Sequence, residues 1–327
     1  MGTRAFDWET PSVGTLDSSG PSRELPRIRR IGWNRPGGRF DERFDRHRPA
    51  ARARRLYPRR VISPDTALVL AIGFGAGLLG GLLGLGGSVI IIPALTLLRG
   101  PNQHLYQAAA MIVNVVVAAS ATAKHSRAGT IRWDVARRML PAAAIAIGVG
   151  VATSDRLDGP TLGRIFGVFL LYFAGTETLD LLRRRTSDAP GAERVGWPVL
   201  SLTGGVMGFL AGLLGIGAGI VTVPLLRRLG RLPLRQCIGT TSAVMLVTST
   251  IGAIHKNTTI TSHVGSGGIA LRLEESLRLA ALLAPTALVA AYLGAKLMYR
   301  LPLAVVRVAL VLLIVIAALR MTGVISV

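Results

Sequence analysis

The sequence predicts an all-α protein that crosses a membrane several times and consists of two homologous halves. Half of the 327 residues are hydrophobic and the mean hydropathy is +0.49. Several apolar runs approach the roughly 20 residues that a helix needs to cross a bilayer. One such run, residues 73–98, returns at residues 204–229 with eleven identities in twenty-six ungapped positions. A match of this quality at a single fixed offset, the one that takes Gly73 to Gly204, marks an internal duplication.

Composition limits the chemistry that the chain can carry. It holds one cysteine, Cys237, which rules out an intrachain disulfide framework, a cysteine-rich zinc site and an iron–sulfur cluster held by several cysteines. The sequence offers no Walker A pattern, no metal-ligand spacing and no nucleophile–base set, so we expect no cofactor, no metal and no enzyme. The formal net charge is +21, but much of it lies in an N-terminal tail and the rest in loops between apolar runs, which favours a membrane protein.

Residues 1–63 form that tail. They contain fifteen Arg, no Lys and seven acidic residues among many Pro, Gly and Ser, and no amphipathic period persists. We expect a disordered cytoplasmic extension held against anionic lipid head groups. The alternative, nucleic-acid binding, lacks a recognisable module, and no nucleic acid is expected as a partner.

The first transmembrane repeat is predicted over residues 64–185. Its first helix ends in a glycine-rich break, residues 84–88, which is followed by a short helix and three longer spans. The predicted helices are 67–83, 89–98, 107–123, 135–153 and 162–182.

A polar linker, residues 186–196, leads to the second repeat, residues 197–324, which follows the same plan. Gly294 in its fourth helix matches Gly150 at a slightly larger offset than the breaks show, and a polar insertion, residues 257–275, has no full counterpart in the first half. The predicted helices are 197–214, 220–226, 237–254, 277–298 and 305–319.

Two topologies fit this plan. If each half crosses four times, giving about eight spans, the basic loops 124–138 and 183–194 lie in the cytoplasm with the N-terminus, as the positive-inside rule prefers. This is the arrangement that we expect. If each broken helix returns or counts twice, each half has an odd number of spans and the halves are inverted, as in many transporters. That version puts both loops outside, and the basic segment 227–235 lies outside in either arrangement.

The breaks at 84–88 and 215–219 are the candidate functional sites. Irregular backbone at membrane depth survives only inside protein or facing water. We expect Gly86, Gly87, Gly217 and Gly219 to turn with positive φ and bring bare amides to a ligand. The short helix after each break points a partly positive N-terminus at it. Two such ends meeting near the bilayer midplane would bind a small anion. The alternative is that the glycines only permit tight helix packing.

The predicted residues of the breaks fall into two groups. Those expected to bind substrate are Gly86, Gly87, Ser88, Gly217 and Gly219, and those expected to shape the break are Gly84, Pro93, Gly215 and Pro224.

The duplicated glycine-rich break followed by a proline resembles the TauE/SafE family of membrane transporters, the sulfite exporters. Residues 239–242 (GTTS) and the later His255 are similar to that family's second segment, and the likeness covers roughly residues 65–322. The resemblance implies export of sulfite or a related organosulfonate. Family members often show three successive glycines where this chain has Ser88 and Ala218, and the first-half counterpart of GTTS lacks hydroxyls. These departures imply an asymmetric pocket.

Other polar residues lie near membrane depth. Asn114, in the middle of a span, needs a hydrogen-bond partner on another helix or on the substrate. Thr240, Thr241 and Ser242 can donate to a sulfonate or bond back to the carbonyl four residues earlier. We include all four as candidate substrate-binding residues.

Four charged or titratable residues have weaker claims. Lys124, His255 and Lys256 are expected at helix ends, where snorkelling to the interface competes with a role in attracting an anion or in coupling. Glu177 precedes three Arg, so an ion pair with residues 183–185 is favoured over proton coupling.

Together these features predict a secondary transporter in the cell (inner) membrane that moves a small inorganic or organosulfur anion by alternating access around the two breaks. The lipid bilayer and anionic lipid head groups are its other expected partners, and a homodimer is possible. The alternative is a membrane-anchored structural or partner-binding protein that acts through the Arg-rich tail.

Overall fold

The structure, a computed structural model, describes residues 64–182, 195–217, 219–265, 268 and 270–298, and some helical residues between 308 and 321. The predicted tail, 1–63, and residues 186–194 of the predicted linker lie outside the described residues. Within them the named helices are α1 Pro64–Leu83, α2 Ser88–Arg99, α3 Gln103–Arg127, α4 Trp133–Ser154, α5 Gly159–Leu182, α6 Trp197–Leu214, α7 Gly219–Arg228, α8 Leu234–Thr259 and α9 Leu273–Leu297, with a 3-10 turn at Ile260–Ser262.

Seven helices in the described part of the chain are long and apolar enough to cross a membrane: α1, α3, α4, α5, α6, α8 and α9. Large apolar side chains on their outer faces are exposed, among them Ile145, Val168 and Tyr172. A contiguous apolar surface of this kind suits contact with lipid rather than water. The prediction of an all-α polytopic membrane protein is confirmed.

The first helix of each half packs along the fourth helix of the other half. Gly77 of α1 lies against the Ala287 backbone of α9, and Gly208 of α6 lies against the Ala143 backbone of α4. The flanking contacts are Gly73 on Leu283, Gly81 on Ala291, Gly204 on Met139 and Gly212 on Ile147. From one contact to the next, the position advances by four residues toward the C-terminus on both helices, so the two helices of each pair are parallel. The small residues let the helix backbones approach closely.

These contacts obey two fixed sequence offsets. The offset that relates the two breaks carries α1 onto α6, and the larger offset that takes Gly150 to Gly294 carries α4 onto α9. Each contact of one helix pair therefore has its counterpart in the other. Gly150, for example, lies on Phe209 and Leu213 as Gly294 lies on Leu78 and Leu82. The duplication extends from the sequence to the packing.

The halves run in opposite directions. Ser120 Oγ of α3 donates to Leu288 O of α9 at 3.1 Å, and Lys124 Nζ lies 5.9 Å from the centroid of the Tyr292 ring, so α3 and α9 are parallel. The short turn at 128–132 makes α4 antiparallel to α3. Since α1 is parallel to α9 and α6 is parallel to α4, the first helices of the two halves, α1 and α6, are antiparallel. Of the two topologies considered above, the helix directions match the inverted one.

The short helices are the return arms of the two broken hairpins. We call end A the end of the bundle at which α1 begins, and end B the opposite end. α1 runs from end A until Gly84 contacts Ile238 near the start of α8, and α2 turns back toward end A. In the other half, α6 runs from end B until Gly215 contacts Gln107 near the start of α3, and α7 turns back toward end B.

We expect Gly208→Ala to destabilise the protein although alanine is the better helix former. A Cβ there would fall on the Ala143 carbonyl and force α4 and α6 apart, at a cost of about 1–3 kcal/mol. The measurement is the temperature at which the purified protein loses its monodisperse elution in detergent. Gly205→Ala is the matched control, because a Cβ at Gly205 meets nothing within 4 Å. Equal melting of the two variants would contradict the proposed packing.

Candidate functional site

The two glycine-rich breaks lie against each other in the bundle. A Cβ placed on Gly86 would lie 2.6 Å from Gly217 Cα, and one placed on Gly217 would lie 2.5 Å from Gly86 Cα. The Gly84 carbonyl oxygen presses on Gly219 in the same way. Contact between two backbones at this separation leaves no room for any side chain.

Three glycines of the breaks have positive φ: Gly84 (66°), Gly86 (82°) and Gly215 (70°). Gly215 closes α6 in the left-handed conformation, and its N–H donates to Ala211 O at 2.9 Å. The expectation that Gly87, Gly217 and Gly219 also turn with positive φ was wrong. Gly87 is right-handed (φ −79°), and the other two are required by close approach instead.

A buried hydrogen-bond network joins the first break to α3 and to the second break. Asn114 Oδ1 accepts from the N–H of Gly87 at 2.9 Å and from the N–H of Ser88 at 3.1 Å. Asn114 Nδ2 donates to Ser88 Oγ at 2.9 Å, and the Gly217 N–H donates to the same hydroxyl oxygen at 2.8 Å. Both side chains are completely buried. Ser88 thus bridges the two halves of the protein.

This network changes the expected character of the first break. The amides of Gly87 and Ser88 were predicted to be bare, and instead the Asn114 amide oxygen binds both of them. The alternative that Asn114 bonds another helix is the one that the structure contains. An amide oxygen carries a partial negative charge, so it lies where the positive end of the α2 dipole favours an anion. Whether these residues bind substrate stays a prediction.

The second break has no equivalent side chain among the described residues. The counterpart of Asn114 in the repeat is Met245, which is buried and offers only a weak acceptor. Gln107, whose counterpart is Ile238, donates through Nε2 to Leu213 O at 3.1 Å near the end of α6. The polar groups that close the two breaks therefore differ between the halves.

The hydroxyls of 240–242 are all buried on α8. Ser242 Oγ donates to Ile238 O four residues earlier, at 2.9 Å, and Thr240 Oγ1 accepts from the N–H of Arg132 at 3.0 Å. Thr241 Oγ1 has no hydrogen-bond partner among the described residues. It lies one turn from Ile238, which contacts Gly84, on the same face of the helix. Of the three, Thr241 is the one with an unused hydroxyl.

The remaining predicted residues lie apart from the breaks or at their edge. Lys124 is half-buried beside Tyr292, as a snorkelling side chain would be. Glu177 is half-buried and lines a small, mainly apolar pocket together with Leu83, Leu85, Phe173, Val223, Pro224 and Ile238. Its predicted ion-pair partners, residues 183–185, lie outside the described residues.

Lys256 does not snorkel to the interface. Its side chain is completely buried, and Nζ donates to Asp155 Oδ1 at 2.6 Å, to Ser154 Oγ at 2.9 Å and to His104 Nδ1 at 2.9 Å. His263 completes this group, which we call the Lys256 cluster: its ring lies 4.0 Å from the His104 ring, centroid to centroid. The neighbouring His255, predicted with Lys256, is only half-buried.

Sequence reasoning missed most of the Lys256 cluster. His104 lies in the first turn of α3, Asp155 follows α4 and His263 lies in the polar insertion of the second half, so only the fold brings them together. The available signal was Lys256 itself, an ionisable residue within a candidate membrane span.

Three members of the Lys256 cluster have the spacing of metal ligands, but two of them bind the lysine. The donor atoms of His104, Asp155 and His263 lie within 4.8 Å of one another, a spacing that a metal ion could use. Lys256 Nζ already forms hydrogen bonds with two of these three residues. We therefore assign His104 and Asp155 as partners of the lysine.

A protein-family model described as Sulfite exporter TauE/SafE matches residues 69–321. The probable membrane transporter protein MamO of Magnetospirillum gryphiswaldense is 26% identical over 266 residues, which cover 72% of this chain and 41% of MamO. MamO of Paramagnetospirillum magneticum is 24% identical over 273 residues, 74% of this chain and 42% of that protein.

The probable membrane transporter protein YunE of Bacillus subtilis is 23% identical over 224 residues, 62% of this chain and 79% of YunE. The chain spans about two fifths of the length of the two MamO proteins. No solved structure matches the chain.

We expect Asn114→Leu to destabilise the protein and to expose the start of α2. The change keeps the side-chain volume but leaves the buried amides of Gly87 and Ser88 without their acceptor, which costs about 1–3 kcal/mol for each unsatisfied group. Hydrogen exchange of residues 87–88, followed by mass spectrometry, should accelerate. Met245→Leu at the counterpart position is the control and should leave exchange there unchanged. Unchanged protection of residues 87–88 in Asn114→Leu would refute the capping role.

Proposed function

The chain belongs to the sulfite exporter TauE/SafE family, and we propose that it is a secondary membrane transporter that exports a small anion such as sulfite or an organosulfonate. The family match agrees with the resemblance predicted from the duplicated break. The relatives described above carry the name of probable membrane transporter proteins, which supports the general function and leaves the substrate and direction as proposals.

The observation that carries the proposal is the meeting of two broken hairpins from inverted halves. α2 reaches the breaks from end A and α7 reaches them from end B, so two helix N-termini converge on one region. Helix N-termini favour anions through their amides and dipoles. Inverted halves around a shared site are suited to alternating access, in which one hairpin moves against the other.

Within this site Asn114 acts as an internal substitute for the substrate. Its Oδ1 binds the amides of Gly87 and Ser88, and an anion oxygen that displaced it would accept the same two hydrogen bonds. Ser88 Oγ accepts from Asn114 and from Gly217, so its own hydrogen is left to donate. The hydroxyl of Thr241, buried and unpartnered in the described structure, supplies a further donor.

A small oxyanion suits this set of groups. The donors are backbone amides and hydroxyls, and no cationic side chain hydrogen-bonds to the network of Asn114, Ser88 and Gly217 in the described part of the chain. Neutral donors hold an anion without binding it so tightly that release becomes slow, since charge-assisted bonds are roughly twice as strong.

We place the protein in the cell (inner) membrane with its N-terminus in the cytoplasm, as the Arg-rich tail favours. The turns at 128–132 and 229–233 both lie at end B, opposite the start of α1. In this orientation both turns face outward.

This orientation predicts that a cysteine replacing Arg231, in a Cys237→Ser background, reacts with an impermeant maleimide added to intact cells. Arg231 is exposed and lies in the turn before α8, whereas the native cysteine is buried. Labelling is compared before and after lysis. Reaction only after lysis would place end B in the cytoplasm and reverse the proposed orientation.

For transport itself, we expect purified protein in proteoliposomes to exchange labelled anion in a counterflow panel of sulfite, sulfoacetate, taurine, sulfate and thiosulfate. Gly217→Ala should reduce this exchange by about tenfold or more, because its Cβ would strike Leu85 and Gly86 and keep the two breaks apart. Gly75→Ala is the control, since a Cβ there meets nothing within 4 Å. Wild-type exchange of none of the five anions would refute the proposed substrate class, and full exchange by Gly217→Ala would refute the site.

A further inference from the structure

The Lys256 cluster contains a buried charge that the anion site does not use. Lys256 has three ammonium hydrogens and three acceptors, Asp155 Oδ1, Ser154 Oγ and His104 Nδ1, so the group is fully satisfied as a cation. Burying an ammonium is energetically costly even when it is paired. Ionisable groups inside membrane segments mark transport pathways and proton relays more often than stabilising contacts.

Two features hold His104 as a neutral acceptor. Its Nε2 lies 3.0 Å from Leu157 O, an oxygen that can only accept, so Nε2 carries the hydrogen. Nδ1 therefore presents its lone pair to Lys256. A proton added to His104 would remove that acceptor and face the ammonium directly.

His263 has the opposite surroundings. Its Nδ1 lies 3.1 Å from Thr259 O, and its Nε2 lies 3.3 Å from Asp155 O and 3.5 Å from Asp155 Oδ1. A neutral imidazole carries one N–H and can satisfy only one side, whereas an imidazolium donates on both sides. Ser262 Oγ also lies 3.4 Å from Nδ1, so oxygen atoms flank the His263 ring on both sides.

A proton on His263 would change the charge balance of the cluster. Lys256 and Asp155 cancel each other, and the titratable or charged groups facing His263 are His104 from α3, Asp155 from α4 and, through that carboxylate, Lys256 from α8. Protonation would add one uncompensated charge and place two cations on the same oxygen, Asp155 Oδ1. The bond between Lys256 and Asp155, which ties α8 to α4, would weaken as a result.

Hydrogen bonds connect the cluster to the second break. Ser154 Oγ accepts from Lys256 and donates to Gln107 Oε1 at 3.1 Å. Gln107 Nε2 donates to Leu213 O at 3.1 Å, and the Gln107 side chain packs directly on Gly215. The side chains of Ser154 and Gln107 each accept one hydrogen bond and donate the next. In such a series the hydrogen bonds strengthen one another.

Among the described residues, this series of hydrogen bonds from the Lys256 cluster reaches the second break and has no equivalent at the first break. At the two repeat offsets, Lys256, Gln107 and Ser154 correspond to His125, Ile238 and Met298. His263 comes from the insertion, 257–275, that has no full counterpart in the first half. The second break therefore has a polar link to end A, and the corresponding residues at the first break form no such chain.

We propose that the Lys256 cluster is a proton-binding site that couples transport to a proton gradient. His263 exchanges the proton with the end-A side, and the proton weakens the Lys256–Asp155 pair that joins α8 to α4. His263 and Asp155 are the members with access to that side, with 8% and 15% of their side chains exposed. This inference rests on the proposed transport function and adds its coupling ion.

The test uses the full chain in proteoliposomes with labelled sulfite. Accumulation driven by an imposed pH gradient is measured, and counterflow is measured at about pH 5.5 and at about pH 7.5. His263→Gln and Asp155→Asn should lose gradient-driven accumulation by about tenfold or more, and their counterflow should no longer change with pH. Asp158→Asn, an exposed carboxylate three residues beyond Asp155, and Lys296→Gln, an exposed lysine, are the matched controls and should behave as wild type.

A substrate-free measurement separates this inference from the proposed function. Hydrogen exchange at residues 151–157, corrected for the intrinsic effect of pH, should be faster at the lower pH in wild type and independent of pH in His263→Gln. Gradient-driven accumulation by His263→Gln equal to wild type, or accumulation that follows a sodium gradient and ignores the proton gradient, would overturn the inference and leave the transporter assignment intact. Wild type that carries no sulfite would count against the proposed substrate, and exchange unaffected by pH would then overturn the proton site independently.

Discussion

The fold depends on one constraint, the need of every buried backbone amide for a hydrogen-bond partner where water is absent. Two helices stop inside the bundle, and each stop leaves amides and carbonyls without intrahelical partners. At the first break, Asn114 Oδ1 accepts from the amides of Gly87 and Ser88. The second is satisfied in part by the Ser88 hydroxyl, which belongs to the other half. The interruption is therefore stable only when both halves are assembled around it.

Inversion of the halves explains why the site is composite. Because α1 and α6 enter from opposite ends and stop past the middle, their breaks must cross, and only glycine permits the crossing at Gly86 and Gly217. The backbone framework obeys the two-fold relation closely, as the glycine contacts demonstrate. The polar side chains do not obey it: Asn114 has Met245 as its counterpart, and Gln107 has Ile238. A symmetric frame thus carries two chemically different sides.

Much of this could be predicted from the sequence, because the signals were local or periodic. Apolar runs of membrane length predicted the spans, and the internal duplication predicted the paired breaks. Helix direction was harder, since the positive-inside rule counts charges and does not detect the swapped glycine contacts of Gly77 and Gly208 that determine which helices are parallel. The hydrogen-bond partners of the amides at the breaks also could not be predicted. Asn114 could be identified as needing a partner, but only the fold shows that its partners are the amides of Gly87 and Ser88.

The exchange of partners between the halves has a consequence for synthesis. α1 enters the membrane early, yet the helix that covers its glycine face, α9, is made only when most of the chain is complete. Until then Gly73, Gly77 and Gly81 must face lipid or a temporary neighbour. For the same reason, a protein consisting of a single repeat could bury this face only against a second copy inserted upside down. The chain carries in one polypeptide what would otherwise require two molecules of opposite orientation.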